Sequence, residues 1–266
     1  MLDLKQLTGD VCRIATEAGH FLKEERKNFR RESVVEKHAH DYVSYVDKES
    51  EVRIVKALSA LPEAGFITEE GSATYQDEPY CWVIDPLDGT TNYIHDEAPY
   101  CVCIALRSRT ELLLGVVYEV CRDECFCAWR GGRAFMNGEE IHVSGVRDIK
   151  DAFVFAELPY NAQQYKQTAL HLIDKLYGVV GGIRMNGSAA AAICYVAMGR
   201  FDAWAEAFLG KWDYSAAALI VQEAGGRVTD FCGNGHFMDG HHIIATNGYL
   251  HSVYQQLIAE VPPLDM

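Results

Sequence analysis

The chain has 266 residues, 49% hydrophobic and 23% charged, a balance that excludes an intrinsically disordered polymer and suffices for one large domain or two modest ones. Its 24 Lys and Arg against 38 Asp and Glu leave a formal net charge of −14. That charge disfavours direct binding to nucleic acid or to an anionic membrane surface, and it fits a site built around divalent cations.

The opening Met1-Leu-Asp-Leu-Lys-Gln carries charge where a secretory signal would be apolar. Leu4, Leu7, Val11, Ile14, Ala18, Phe21 and Leu22 then recur at spacings of three and four, which predicts an amphipathic helix of about five turns. A charged segment, 23–31, leads to the run from Val35 to Asp47. Asp47 stands where an N-cap belongs, before a helix carrying Val52, Val55 and Leu58 that Pro62 and Gly65 end.

From Phe66 to Val143 the pattern turns to strands: Phe66-Ile67, Cys81 to Ile84, Cys101 to Leu106, Leu112 to Val120 and Glu124 to Ala128. The apolar run from Cys101 to Leu106 suits a strand covered on both faces. Gly131-Gly132 and Asn137-Gly138 predict turns, the second a hairpin. Past residue 150 strands and helices alternate: strand Ala152 to Ala156, helix Gln163 to Tyr177, strand Gly182 to Arg184, helix Ser188 to Met198. Strand Phe201 to Ala205, helix Trp212 to Glu223, strands Arg227 to Thr229 and Ile243 to Thr246, and a helix from Tyr249 complete it. The uncharged stretch from Gly240 to Ala259 holds three His, Asn247 and two Gln, too polar for a membrane span, and the chain reads as cytoplasmic. No linker or repeat separates the halves, so residues 1–266 read as one domain with an N-terminal lobe (about 1–147) and a C-terminal lobe (about 148–266).

The nine cysteines suit reduced, buried thiols better than disulfides. Cys101-x-Cys103 and Cys121-x3-Cys125-x-Cys127 lack the C-x2-C knuckle of a zinc site, and C-x-C on a strand aims both thiols at one face, as core packing would. The role of this cluster stays open.

Chemistry concentrates in Trp82-Val-Ile-Asp85-Pro-Leu-Asp88-Gly89-Thr90-Thr91-Asn92, where an apolar strand runs into two carboxylates. Pro86 holds Asp85 extended, Gly89 lets the chain turn, and Thr-Thr-Asn starts a helix whose free N–H groups lie near both acids. Such a site holds hard cations through oxygen and a phosphate on the cations and N–H groups; taken alone, D-x-x-D-G also describes a turn with two solvated aspartates. Glu69-Glu70 after a short strand and Asp213 at the start of an apolar helix add acids. The first pair also reads as surface charge, and Asp213 as a simple cap.

Together these segments resemble the inositol monophosphatase family of lithium-sensitive, Mg²⁺-dependent phosphatases. Residues Trp82 to Tyr93 match W-x-I-D-P-[LI]-D-G-T-x-N-[FY], and Trp212 to Gly226 match a looser W-D-x-[AS]-A-x-x-L-[IV]-x-x-A-G-G. Lys37 to Asp47 fit K-x-x-x-D-x-V-[ST]-x-x-D, and Glu69-Glu70 fit the paired acids after the strand. The resemblance implies a layered αβαβα sandwich of the α/β (α+β) class, as in inositol monophosphatase and fructose-1,6-bisphosphatase, in a homodimer with two or three Mg²⁺ per active site. It assigns Glu69, Asp85 and the Leu87 carbonyl to one ion and Asp85, Asp88 and Asp213 to a second. Thr90, oriented by Asp47, and Glu69 would activate water, and the Gly89 and Thr90 N–H groups would hold the phosphate. Thr91, Asn92, Gly187, Ser188 and Glu206 would line the pocket for the alcohol. Glu206 also reads as a solvated loop carboxylate, and Arg184 is left open between structural and interface roles. Thr68 stands where the family often has Gly, and its side chain is expected to narrow the approach to the first ion.

The implied reaction is hydrolysis of a small phosphorylated polyol, foremost myo-inositol monophosphate, without a covalent intermediate. The rivals are an inositol lipid headgroup, histidinol phosphate, fructose 1,6-bisphosphate, 3′-phosphoadenosine 5′-phosphate and NADP. Related 3′-phosphoadenosine phosphatases typically read D-G-T-K-E-F, and this chain has Thr91-Asn92 in place of Lys-Glu. The last alternative is a non-enzymatic role in an RNA-related or regulatory complex.

Overall fold

A computed structural model describes residues 2–38, 41–159, 162–235 and 237–259. Helix α1 (Leu4–Arg26) starts where the Asp3 carboxylate accepts the Gln6 N–H at 3.0 Å, and Lys23 and Arg26 occupy its last turn. Its buried stripe of Leu7, Val11, Ala15, Ala18 and Leu22 follows the helical period. After the hairpin β1 (Val35–His38) and β2 (Asp41–Val43), helix α2 (Tyr45–Leu58) packs beside α1.

Seven strands follow: β3 (Gly65–Thr68), β4 (Tyr80–Asp88), β5 (Cys101–Ser108), β6 (Leu112–Glu119), β7 (Glu124–Trp129), β8 (Ala134–Met136) and β9 (Glu139–Ile141). They form one sheet in chain order, antiparallel except for the parallel β3–β4 pair. The Asn137-Gly138 turn joins β8 to β9 with φ of 49° and 84°, as the dipeptide predicts. A short helix, α3 (Thr90–His95), connects β4 to β5.

The C-terminal half contributes β10 (Phe153–Phe155), α4 (Ala162–Leu176), β11 (Gly182–Arg184), α5 (Ala189–Ala197), β12 (Ala203–Ala207), α6 (Lys211–Glu223), β13 (Arg227–Thr229), β14 (His242–Thr246) and α7 (His251–Ala259). Its five-stranded sheet has the order β11-β10-β12-β14-β13; β10 runs parallel to both neighbours, and β14 antiparallel to β12 and β13.

The layers follow from which faces are apolar. Helices α1 and α2 cover one face of the large sheet; α5 and α6 lie between the two sheets; α4 and α7 close the far side. The middle helices are therefore apolar all round, and every residue of α5 is buried. This is the expected αβαβα order. Gly115 on β6 makes the close approach of α6 possible, because a Cβ there would sit 2.4 Å from the Ala216 carbonyl oxygen. No helix among the described residues is long and apolar enough to cross a membrane.

Several sequence expectations need correction. The N-cap of α2 is Ser44, whose hydroxyl accepts the Val46 N–H at 3.1 Å, and Asp47 sits one turn inside the helix. Strand β4 continues through Asp88, with an irregularity between Asp85 and Asp88 that re-aims those two acids. Strand β12 begins at Ala203, not Phe201. Phe201 stacks instead on Phe155, with ring centroids 3.8 Å apart, and Glu206 lies in the strand rather than in a loop. All nine cysteines are free; Cys81, Cys101, Cys103 and Cys194 are buried, but Cys121 and Cys232 are exposed, so burial explains only part of the set. Cys101 and Cys103 share one face of β5 inside the central core, whereas Cys125 and Cys127 face the α1 side.

Candidate active site

The ends of the two sheets meet at one cavity of about 120 Å³. The large sheet brings Glu69 from the end of β3 and Asp85, Leu87 and Asp88 from the end of β4, followed by Gly89, Thr90 and Thr91. The other half brings Gly187, Ser188 and Ala189 from the start of α5, Glu206 from β12 and Asp213 from α6. Tyr42, Glu157, Leu158 and Leu209 complete the wall.

Gly89 is the N-cap of α3 at φ 86°, a left-handed conformation that a side chain would strain, and a Cβ there would meet the Pro99 carbonyl at 3.0 Å. The chain thus reverses within one residue, and α3 starts directly beside Asp88. First-turn N–H groups of a helix have no acceptor inside it, so they face the cavity as anion donors.

Each acid is held by its own hydrogen bonds. Asp85 accepts the Leu87 N–H at 2.9 Å. Asp88 accepts the Ser188 hydroxyl and the Ala190 N–H, the latter at 3.1 Å, which ties β4 to the start of α5. Asp213 accepts the Gly210 N–H at 2.6 Å in the first turn of α6. Lys37 forms ion pairs with Glu69, at 3.5 Å, and with Glu70. The fully buried Glu51 carboxylate receives the N–H groups of Glu70 and Ser72, both at 2.7 Å, and so fixes the loop that carries the acidic pair.

Asp47 is buried and bifunctional. One oxygen accepts the Ser44 N–H at 2.9 Å and the Ser44 hydroxyl at 2.7 Å, closing the helix cap. The other lies 3.1 Å from the Thr90 hydroxyl, which is also 3.0 Å from the Leu87 carbonyl. Both neighbours are acceptors, so the single Thr90 proton serves one of them and the lone pairs of its oxygen are left for a donor in the cavity.

Burial and mutual repulsion set the electrostatics. Burial pushes Glu69 up to about 7, with the Lys37 charge opposing and the Glu70 charge adding to the rise. Burial raises Asp88 to about 6 against the hydrogen bonds from Ser188 and the start of α5. Asp85 is raised well above the carboxylate range by burial and then by Glu69, Asp88 and Asp213; burial also lifts Asp47 and Glu206. Such acids ionise readily only beside compensating positive charge, and hard oxygen donors suit Mg²⁺. Among the described residues, no three His, Cys, Asp or Glu side chains converge on one ligating point. Asp88 and Asp213 each commit one oxygen to N–H or hydroxyl donors instead.

Of the sequence-predicted residues, Asn92 does not line the cavity; its side-chain amide donates to the carbonyls of Pro99 at 2.8 Å and Asn186 at 2.7 Å and braces two walls. Thr68 is buried and lies outside the lining, so it does not narrow the cavity. Part of the Lys37-to-Asp47 motif, residues 39 and 40, lies outside the described residues. Arg184 stacks on Phe153, 4.8 Å from its ring centroid, away from the site. Sequence reasoning missed Glu157 and Tyr42. The signal for Glu157 was an acid directly after the strand Ala152 to Ala156, at the carboxyl end where parallel strands bind ligands.

The family model for "Inositol monophosphatase family" matches residues 3–262. The chain belongs to the inositol monophosphatase family. Within and around that family it is 40% identical over 243 residues to the protein named "Nus factor SuhB" of Pseudomonas aeruginosa, covering 89% of this chain and 90% of that one. It is 35% identical over 239 residues to an inositol-1-monophosphatase of Mesorhizobium japonicum, with 89% and 90% covered. The solved structure of extragenic suppressor protein suhB from Bartonella henselae superposes with a TM-score of 0.89 at 34% identity, covering 96% of this chain and 99% of that one. The inositol monophosphatase fold thus accounts for the five layers, and the cavity lies where its two sheets end.

Proposed function

We propose that the protein is a Mg²⁺-dependent phosphatase of small phosphorylated polyols, with myo-inositol monophosphate as its preferred substrate. The observation that carries this reading is the single cavity in which Glu69, Asp85, Asp88 and Asp213 meet Thr90 and the start of α3. Glu69, Asp85 and the Leu87 carbonyl would hold one Mg²⁺, and Asp85, Asp88 and Asp213 a second. Bound there, Mg²⁺ lowers the pKa of a water and offsets charge on the phosphate and the leaving oxygen. Thr90 accepts a hydrogen of the attacking water, because Asp47 or the Leu87 carbonyl takes its own proton. Glu69 accepts the proton that water loses. The N–H groups of Gly89 and Thr90 bind the phosphate, and Glu206 accepts hydrogen bonds from the alcohol. Attack is in line, with no covalent intermediate. The chain acts as a cytoplasmic homodimer in this reading, after the family resemblance.

The test is phosphate release, with Mg²⁺ and with chelator, from inositol 1-phosphate, fructose 1,6-bisphosphate, 3′-phosphoadenosine 5′-phosphate, NADP and histidinol phosphate. Mg²⁺-dependent preference for inositol 1-phosphate is expected; preference for another ester moves the substrate and keeps the metal chemistry. One observation favours a second reading, a role in association with other macromolecules: the 40% identity to a protein named as a Nus factor. Silence toward every ester would favour it.

A further inference from the structure

Beside the metal-binding acids, the cavity holds a second acidic feature, of which the reaction above uses only Glu206. Residue Val154 of β10 pairs in parallel with Ala203 of β12. Three residues on from each lie Glu157 and Glu206, so the register sets the two carboxylates side by side at the carboxyl ends of neighbouring strands, and both open on the cavity. Glu157 is 8% exposed. It is clamped by the Asn186 N–H, at 3.1 Å from one of its oxygens, and by the Gly187 N–H. Those N–H groups belong to the loop that leads into Ser188 and α5, so Glu157 is rigidly tied to the wall next to the phosphate end. Behind the pair is a recess lined by Tyr165, Ala169, Leu172 and Ile258, which keeps solvent from screening them on that side. No Lys, Arg or His lines the cavity among the described residues.

We propose that Glu157 is a specificity-determining residue: with Glu206 it forms a two-carboxylate wall that admits an uncharged polyhydroxyl leaving group and rejects one bearing a second phosphate. The inference rests on the phosphatase reading above and deepens it. Each carboxyl oxygen left free by the Asn186 and Gly187 N–H groups accepts a hydroxyl proton of a polyol. A second phosphate in the same place brings acceptors and negative charge only, and meets neither a cation nor an N–H group not already used. Rejection therefore costs the protein no additional contact with the favoured substrate; it is selection by unmatched charge.

A matched pair of probes isolates this effect: myo-inositol 1-phosphate and myo-inositol 1,4-bisphosphate share the alcohol ring and differ by one phosphate. Measured at about pH 8 or above, where Glu157 is ionised, wild-type kcat/KM is expected to favour the monophosphate by roughly tenfold or more. Glu157→Gln keeps the oxygen that accepts the backbone N–H groups and removes the charge. It is expected to lower the preference about fivefold or more, through a smaller KM for the bisphosphate, while Glu157→Asp retains the preference. Equal use of both esters by the wild type, or a Glu157→Gln preference within about twofold of wild type, overturns the proposal. Inactivity of the wild type toward both esters would instead refute the inositol-phosphate reading. Calorimetric binding of the two esters with Ca²⁺ in place of Mg²⁺ then decides about Glu157, and equal affinities would refute its role. The wild-type comparison of the two esters needs no variant, so a Glu157→Gln protein that fails to fold does not shield the idea.

Discussion

Asp47 illustrates how much a single side chain depends on partners far away in the chain. In the sequence it reads as a helix cap, since a lone Asp before an apolar periodic stretch is usually that. The structure gives the cap to Ser44 and lets Asp47 close it from the first turn, so that its second oxygen reaches Thr90, 43 positions on. Replacing Asp47 by Asn keeps an acceptor for the Ser44 N–H but turns an N–H₂ group on Thr90, which occupies a lone pair of the Thr90 oxygen while its own proton goes to the Leu87 carbonyl. The expected result for Asp47→Asn is a kcat lower by about 10²-fold with KM nearly unchanged; steady-state phosphate release measures it, and an undiminished kcat would remove Thr90 from water positioning. Glu69, Asp85, Asp88 and Asp213 were legible because each sits in a dense local motif. Glu157 was not, because Ala156-Glu157-Leu158-Pro159 contains one ordinary acid, and only the pairing of β10 with β12 places it beside Glu206.

Among the elements, those with one wet face were the easiest to read. Helix α1 shows its buried stripe at spacings of three and four, and its predicted span falls short only by the charged last turn, Lys23 to Arg26. Strands β5 and β6 are covered on both sides and appear as unbroken apolar runs. The start of β12 was misread because Phe201 looks like strand, yet Asp202 intervenes: its carboxylate accepts the Phe153 N–H at 2.6 Å and its own N–H donates to the Phe153 carbonyl at 2.8 Å. That bracket holds the chain out of the ladder until Ala203. The pairing of β6 with α6 supplies a test at this scale. Gly115→Ala puts a methyl against the Ala216 backbone, and neither a strand in mid-sheet nor a helix buried all round yields easily. Destabilisation of about 1–3 kcal/mol is expected from urea unfolding. An unchanged midpoint would mean that α6 has more room than its approach to Gly115 implies.

The whole molecule carries its acids as a pH-dependent strain. Glu69 and Glu157 rise from 4.5 to about 7, and Asp88 from 3.8 to about 6. A raised pKa means that the folded state binds protons more tightly than the unfolded chain. The stability from these groups is full below their unfolded values and is lost as pH climbs through about 6 to 7. Asp239 is opposite in sign: hydrogen bonds from Arg107 hold it at about 2, so its contribution fades only in strong acid, far from that window. In chelator, the melting temperature should therefore fall between about pH 5 and pH 8, and Mg²⁺ should restore it most at the alkaline end, where the site is ionised. Differential scanning calorimetry across that range checks both; a flat chelator profile would mean that these acids are ionised at no cost. The net charge of −14 pointed to cations from the sequence alone, but which acids bear the strain depended on burial that no pattern reveals.

The layer order also sets a timetable for synthesis. The large sheet is complete once Ile141 has been made, yet the helices that cover its inner face, α5 and α6, end only at Glu223, 82 residues later. At ribosomal speeds of about 5–20 residues per second, a sheet face meant for the centre of the protein waits roughly 4–16 s for its cover. During that interval Cys101, Cys103, Val117 and Phe126 are presented to solvent as a sticky surface, which makes the nascent chain a natural client for holding chaperones long before it has a complete site.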